Sequence, residues 1–352
     1  MRNLLLLLLC GLWLLACGEN EVVPREYLID RDTVTNQHPK EDGRDSVASD
    51  SVATDTVVSD TVVNDTVPTE TAPADTVAQD TVQAPEPEQH DDSRVKVIFD
   101  TDIAEDVDDV GAMAVLHALA DRGELDILGM MVSMPVDYGA PALDAINTYY
   151  NRPNIPIGTL KNSQDAIGAK NLDVYNKALA TQFPNDLKHA SNTPNALNLY
   201  RKLLAGQPDK SVVIITVGPL TNLYHLMRSS GDQYSSLNGM DLIRKKVKRF
   251  VMAGGQLPEG TSYNFRVSPE KSEYVINNWP TEHWLVPNDL GDGVFTGPEM
   301  LSKTTKESPI HVAYALYKTK YPSWEFRPSW DQMGVYIAAR PNDQLFKTNT
   351  TG

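Results

Sequence analysis

Residues 95–120 read VKVIFDTDIAEDVDDVGAMAVLHALA, and their order decides the fold class. The run VKVIF is short, apolar and rich in β-branched residues, which is typical of a buried strand. Residues 109–120 are apolar on nearly every side, which predicts a helix covered by other parts of the protein. Six carboxylates separate the two runs: Asp100, Asp102, Glu105, Asp106, Asp108 and Asp109. A strand followed closely by a buried helix indicates an α/β protein.

The alternation of strand and helix patterns continues to residue 287. Further strands are predicted at 125–133, 155–158, 211–218, 247–255 and 283–287, and further helices at 141–150, 194–206, 221–229 and 268–278. This spacing predicts an α/β fold with an open, mostly parallel sheet and helices on both faces. Such sheets bind ligands at the carboxyl ends of their strands, which is where the acidic stretch lies.

Residues 1–17 predict a lipoprotein signal peptide. A short positive start with Arg2 precedes an apolar run that is too short for a good membrane span. The run ends in LLAC, which resembles a bacterial lipobox, so we expect Cys17 to carry a lipid anchor in the bacterial cell envelope, on a periplasmic or surface-exposed protein. An ordinary signal peptide is the alternative. Cys10 is the only other cysteine, so we expect no disulfide.

Residues 18–92 predict a disordered, acidic stalk. From Asp45 the chain repeats five-residue units such as DSVAT and DTVVS, whose single Val cannot build a core. The stalk is either a plain solvated spacer or a carrier of sugars on its Ser and Thr residues. Residues 1–92 have a net charge of −14, whereas 93–352 have −2. This second part suits one folded domain, and its charge disfavours nucleic acid as a partner.

The acidic stretch needs a counter-charge if its carboxylates share one space. All-oxygen ligands favour Ca²⁺ or Mg²⁺, and a flexible loop favours Ca²⁺. An EF-hand counted from Asp100 needs an acid and a Gly where Ala104 and Glu105 stand, so this class is excluded. A phosphatase that uses the first Asp as nucleophile is another candidate, but it leaves the second acidic group, 106–109, without a purpose.

Four segments resemble the nucleoside hydrolases. DTDIAEDVDD (100–109) is similar to the amino-terminal fingerprint of that family, with a spacer two residues longer than usual. VGPLTN (217–222), GGQLPEGTSYNFRVSPEKSEYVI (254–276) and SWDQMGVYIAAR (329–340) resemble three later family segments in the right order. The resemblance covers about 95–340 and implies cleavage of an N-glycosidic bond.

The resemblance also implies a Ca²⁺ site. Its ligands would be the carboxylates of Asp102, Asp109 and Asp331 and the carbonyl oxygen of Val217. The ion would also take two ribose hydroxyls and a water, and Asp102 would accept the proton of that water as general base. The cleavage passes through an oxocarbenium-like state, which a wall of carboxylates stabilises.

The family pattern implies further residues that bind the substrate. Asp108 and Asn264 would contact ribose hydroxyls, and Trp330 belongs to an aromatic group that either stacks on the base or only packs. Many family members have an acid at the position of Ser262 and a His, the leaving-group acid, at the position of Trp330. These departures keep a second function open, a surface protein that binds Ca²⁺ and a sugar without turnover.

Further expectations concern the remaining acids, the end of the domain and the assembly of the chain. Asp100 is expected to orient the acidic loop, and Asp106 and Glu105, in the longer spacer, are either functional or merely solvated. Relatives continue past the segment that ends at 340, so we expect the domain at 93–352 to be short of its final strands. A homo-oligomer is also compatible with the sequence.

Overall fold

The computed structural model describes residues 94–347, except 105, 162–164, 166–172 and 325. The predicted signal peptide with Cys17, the predicted stalk and Glu105 lie outside the described residues, so the predicted division of the chain into domains stays a prediction. Within the described part, no helix combines the length and the apolar character needed to cross a membrane.

The described residues form eight strands and twelve α-helices. The strands are β1 Val95–Thr101, β2 Leu125–Val132, β3 Ile157–Thr159, β4 Val212–Thr216, β5 Val247–Ala253, β6 Glu282–Val286, β7 Phe295–Thr296 and β8 Arg327–Pro328. The helices are α1 Asp108–Asp121, α2 Gly139–Tyr149, α3 Asn176–Gln182, α4 Ala196–Ala205, α5 Thr221–Arg228, α6 Gly239–Lys246, α7 Tyr263–Arg266, α8 Pro269–Asn278, α9 Asn288–Asp292, α10 Pro298–Lys303, α11 Pro309–Lys320 and α12 Trp330–Ala339.

Six of the strands form one parallel sheet in the order β3-β2-β1-β4-β5-β6. The chain builds outward from β1 to β3 and then returns to the other side of β1 to add β4. This reversal leaves a crevice beyond the carboxyl ends of β1 and β4, the position at which doubly wound sheets bind ligands. Strands β7 and β8 pair separately in an antiparallel ribbon.

Apolar side chains of the central strands point alternately to the two faces of the sheet. In β1, Val97 and Phe99 join one buried cluster, and Ile98 joins the other. In β4, Ile215 and Ile214 divide in the same way. Because both faces of the sheet are covered, the central strand β4 (VVIIT) is buried along its whole length and is almost entirely apolar. The predicted α/β class with helices on both faces is confirmed.

The structure differs from the predicted elements in two informative places. Strand β5 ends at Ala253 rather than at 255, because Gly254 and Gly255 have φ angles of 148° and 79°, which a strand does not contain. Helix α11 was not predicted, although its buried residues have helical spacing: Ile310, Ala313, Tyr314 and Tyr317.

Candidate active site

Three buried carboxylates meet beyond the carboxyl end of the sheet. Asp108 and Asp109 begin α1, Asp331 lies in the first turn of α12, and each offers an oxygen within 4.8 Å of the others. The two helices approach closely at Gly111, where a Cβ atom would collide with Nε2 of Gln332. Acidic residues suit a helix N-terminus, because the helix dipole is positive there. Packing of two helix starts therefore gathers acids from opposite ends of the domain.

The electrostatics of this group call for a positive partner. Burial raises the pKa of Asp109 well above its usual value, and repulsion by Asp102 raises it further, while a hydrogen bond from Thr101 Oγ1 acts in the opposite sense. Burial also raises the pKa of Asp331, and repulsion by Asp108 adds to it. A bound cation reverses this balance, because it favours the charged carboxylates.

Asp102 directly follows β1, and Val217 directly follows the neighbouring strand β4. The backbone N–H of Val217 donates to the Asp100 carbonyl at 2.8 Å, which holds the two strand ends together. At Gly218 a Cβ atom would lie 2.8 Å from the Asp102 nitrogen, so this approach requires a glycine. Burial raises the pKa of Asp102 well above its usual value, and Asp108 adds repulsion.

A cavity of about 340 Å³ opens at this point. All seven residues predicted to bind metal or substrate line it: Asp102, Asp108, Asp109, Val217, Asn264, Trp330 and Asp331. The group of three converging carboxylates contains Asp108, whereas the predicted ligand set contains Asp102 instead. Asp109 and Asp331 belong to both sets. Fold topology thus places the predicted residues in one cavity, and their individual roles stay predictions.

Asn264 is turned towards a main-chain oxygen. Its Nδ2 donates to the carbonyl of Val217 at 2.7 Å, so the side chain orients the predicted metal-ligating oxygen. Ser262, which stands where many relatives have an acid, also lines the cavity, and its buried Oγ has no hydrogen-bond partner among the described residues.

Arg327 is a cavity residue that the sequence analysis missed. Its side chain is only 5% exposed and forms ion pairs with Asp106 and, at 3.5 Å, with Asp108. The guanidinium lies against Trp330, 4.4 Å from the ring centroid. One face of Trp330 is therefore occupied by a cation rather than open for a base. One feature of the sequence could have pointed to Arg327, because it is the only basic residue between 321 and 331.

Asp100 belongs to the other side of the sheet. Its carboxylate accepts hydrogen bonds from Tyr200 Oη at 2.8 Å and from Asn222 Nδ2 at 3.1 Å, and burial raises its pKa to about 7. Asn222 lies in the first turn of α5, and its side chain makes this contact rather than capping the helix. Asp100 thus ties the end of β1 to α4 and α5.

A second cavity of about 340 Å³ opens beside β3. It contains the carboxylate of Asp144, whose Oδ2 accepts backbone hydrogen bonds from Asp186 at 2.7 Å and Leu187 at 2.9 Å. That carboxylate holds a loop in place. Prolines and aliphatic residues form much of the remaining lining: Pro153, Ile155, Pro156, Pro194 and Leu199. The acidic cavity is therefore the candidate active site.

Comparison with known proteins identifies the family. Residues 97–351 match the model of the inosine-uridine preferring nucleoside hydrolases. The chain belongs to this family. No curated protein sequence matches it. The fold and the family together support nucleoside hydrolysis in general.

Several solved structures share the fold of this nucleoside hydrolase family member. The crystal structure of the effector protein XOO4466 has 12% identity and a TM-score of 0.56, over 70% of this chain and 80% of that one. The inosine-uridine preferring nucleoside hydrolase of Bacillus anthracis has 17% identity and a TM-score of 0.52, over 70% and 82%. An inosine-guanosine nucleoside hydrolase has 17% identity and a TM-score of 0.51, over 70% and 79%. At these identities the likeness concerns the fold alone.

The donor set of the cavity fits the metal dependence of the family. Nucleoside hydrolases are metal-dependent, and the converging ligand atoms here are buried carboxylate oxygens. Oxygen ligands of this kind suit a hard divalent cation.

Proposed function

We propose that this protein hydrolyses the N-glycosidic bond of ribonucleosides in a Ca²⁺-dependent reaction that yields ribose and a free base. The observation that carries the proposal is the convergence of Asp108, Asp109 and Asp331 in a cavity that also contains Asp102. The family supports a small-molecule nucleoside as the substrate.

Asp109 and Asp331 would hold the cation together with Asp102 and the carbonyl of Val217, with Asp108 close by. When bound, Ca²⁺ supplies positive charge that lowers the pKa of a water and orients the ribose hydroxyls. Asn264 supports this arrangement, because its amide fixes the direction of the Val217 carbonyl.

The carboxylates of the chain would then accept a proton and stabilise the positive charge that develops on the sugar. Asp102 accepts the proton of the attacking water at its carboxylate, and Asp108 holds a ribose hydroxyl. The departing base leaves positive charge on the sugar ring, and the surrounding carboxylates stabilise it electrostatically.

The base would lie against the aromatic part of the cavity lining. Tyr317, Tyr321 and Trp324 supply aromatic surface there, next to Trp330. Among the described residues that line the cavity there is no histidine, so the proton that the departing base gains has to come from another acid or from solvent water.

Two departures from the family pattern favour a second candidate, a protein that binds Ca²⁺ and a sugar without turnover. Trp330 replaces the leaving-group acid, and Ser262 replaces a carboxylate. Both changes weaken catalysis more than metal binding, because neither position belongs to the metal-ligand set.

Release of ribose from a panel of nucleosides separates the two candidates. The full-length protein is assayed with CaCl₂ and with EDTA, beside Asp109→Asn and a surface control, Asp126→Asn. We expect Ca²⁺-dependent release by wild type and the control, and none by Asp109→Asn. Bound Ca²⁺ without turnover on any nucleoside would favour the binding protein.

We also propose that Cys17 anchors the protein in the bacterial cell envelope by a lipid. The proposal rests on the sequence of 1–17. Intact mass of the mature protein tests it: we expect a chain that begins at Cys17 and carries acyl mass, and an unmodified N-terminus would contradict it.

A further inference from the structure

We propose that Asp106 and Arg327 form an ion pair that positions the two helix starts of the metal centre, so that both act as positioning residues for the cation ligands. The inference rests on the cation site of the proposed function. Asp106 belongs to the longer spacer of the acidic stretch, so the family fingerprint does not imply this pair.

The pair joins two segments 221 positions apart in the chain. Nη2 of Arg327 donates to Oδ2 of Asp106 and lies 3.5 Å from Oδ1 of Asp108. Asp106 stands two residues before the start of α1, and Arg327 stands in β8, three residues before α12 begins. One guanidinium therefore connects the loop that supplies Asp108 with the segment that supplies Asp331.

Aromatic rings fix the guanidinium in place. Its Cζ lies 4.4 Å from the ring centroid of Trp330, 5.3 Å from that of Trp324 and 5.8 Å from that of Tyr317. A planar guanidinium stacks on aromatic faces and loses little freedom when it forms hydrogen bonds. Because Trp330 directly precedes Asp331, this stack holds the first turn of α12.

Asp106 is fixed as well. Its carbonyl oxygen accepts a hydrogen bond from Tyr175 Oη, and its Oδ1 accepts one from the backbone N–H of Val107 at 2.7 Å. The Tyr175 side chain is fully buried. Both partners of the ion pair are thus held by other residues. The pair can therefore fix the segment that contains Asp108 relative to the segment that contains Asp331.

A purely electrostatic role and a positioning role of Arg327 predict opposite changes in Ca²⁺ affinity when this residue is replaced. Removal of a cation near a cation site strengthens Ca²⁺ binding if charge is all that matters. If Arg327 positions the ligands, its removal weakens Ca²⁺ binding, as the loss of residues that orient metal ligands does. The sign of the change in Ca²⁺ affinity therefore decides between the two.

The experiment titrates CaCl₂ into EDTA-stripped, full-length protein in a calorimeter. The variants are Arg327→Gln, Asp106→Asn and their combination, and Arg94→Gln is the control, since it breaks an exposed 2.9 Å pair with Asp126. We expect each single variant to weaken Ca²⁺ binding by roughly 10-fold or more. The double variant should be no weaker than the weaker single variant, because all three remove the same pair. Arg327→Gln that binds Ca²⁺ as tightly as wild type, or more tightly, overturns the inference.

A second variant covers the case in which Arg327→Gln does not fold. Arg327→Lys keeps the charge but loses the planar fork, so charge alone predicts unchanged Ca²⁺ affinity and positioning predicts weaker binding. Unchanged affinity of this variant overturns the inference. Wild type that takes up no Ca²⁺ overturns both this inference and the cation site. Wild type that binds Ca²⁺ but releases no ribose overturns only the proposed hydrolysis.

Discussion

Substitution of Gly218 tests whether close contact between the ends of β1 and β4 builds the site. An ideal Cβ at this position would lie 2.8 Å from the backbone nitrogen of Asp102, 2.9 Å from its Cβ and 2.6 Å from Ser133 Oγ. Two of these three atoms belong to Asp102 and cannot rotate away, so Gly218→Ala must push the Asp102 segment outward. Overpacking of this kind costs about 1–3 kcal/mol.

Thermal unfolding and Ca²⁺ titration measure the effect. In a domain of this size, each kcal/mol lowers the Tm by roughly 2–4 °C. We expect Gly218→Ala to show such a decrease together with weaker Ca²⁺ binding, because Asp102 moves away from Asp109. Gly293→Ala is the matched control, since a Cβ there meets no atom within 4 Å and φ is −95°. A Gly218→Ala protein with the stability and Ca²⁺ affinity of wild type would refute the reasoning.

Two other predictions concern the buried carboxylates. Asp331→Asn should raise the Tm in EDTA at pH 7, because burial and neighbouring carboxylates raise the pKa of Asp331 and make its charged form costly. The same variant should lose the stabilisation that Ca²⁺ gives to wild type. For wild type this stabilisation is about 2.7 kcal/mol at a free Ca²⁺ concentration 100-fold above Kd. Equal Ca²⁺ stabilisation of Asp331→Asn and wild type would contradict its role as a ligand. Metal-free wild type should lose stability as the pH rises from about 4 to about 7. The lower limit is the ordinary pKa of an unfolded Asp, and the upper limit is the pKa to which burial raises Asp100. Across this interval the folded state binds more protons than the unfolded state, so a rise in pH favours unfolding. A Tm in EDTA that stays constant or increases over this range would contradict the raised pKa values of these carboxyl groups.

The fold followed from local patterns in the sequence. Apolar runs such as 211–218 predicted the strands, and their alternation with helix patterns predicted the parallel sheet. Strand β5 shows the limit of such patterns. The pattern extended this strand to 255, but the backbone angles of Gly254 and Gly255 end it at Ala253.

The prediction that the site residues share one cavity depended on the family resemblance. Asp102 and Asp331 are separated by most of the domain's sequence, and only the resemblance assigned them to the same site. The contacts of the site were not predictable in the same way. Arg327 pairs with Asp106 across 221 positions, and no local period marks such a pair. Likewise, Asp100 belongs to the same acidic stretch as Asp102, but its side chain points to the opposite face of the sheet. There it accepts a hydrogen bond from Tyr200 Oη. Chemistry that depends on long-range pairing becomes visible only in the folded chain.

The central claim is that the carboxylates that bind the cation also support hydrolysis. Its most direct test measures the initial rate of ribose release against free Ca²⁺ and compares the half-maximal concentration with the Kd from calorimetry on the same preparation. We predict one Ca²⁺ per chain, no release in EDTA, and equal values from the two measurements. Full ribose release in EDTA, or Ca²⁺ binding that leaves the rate unchanged, would contradict the account.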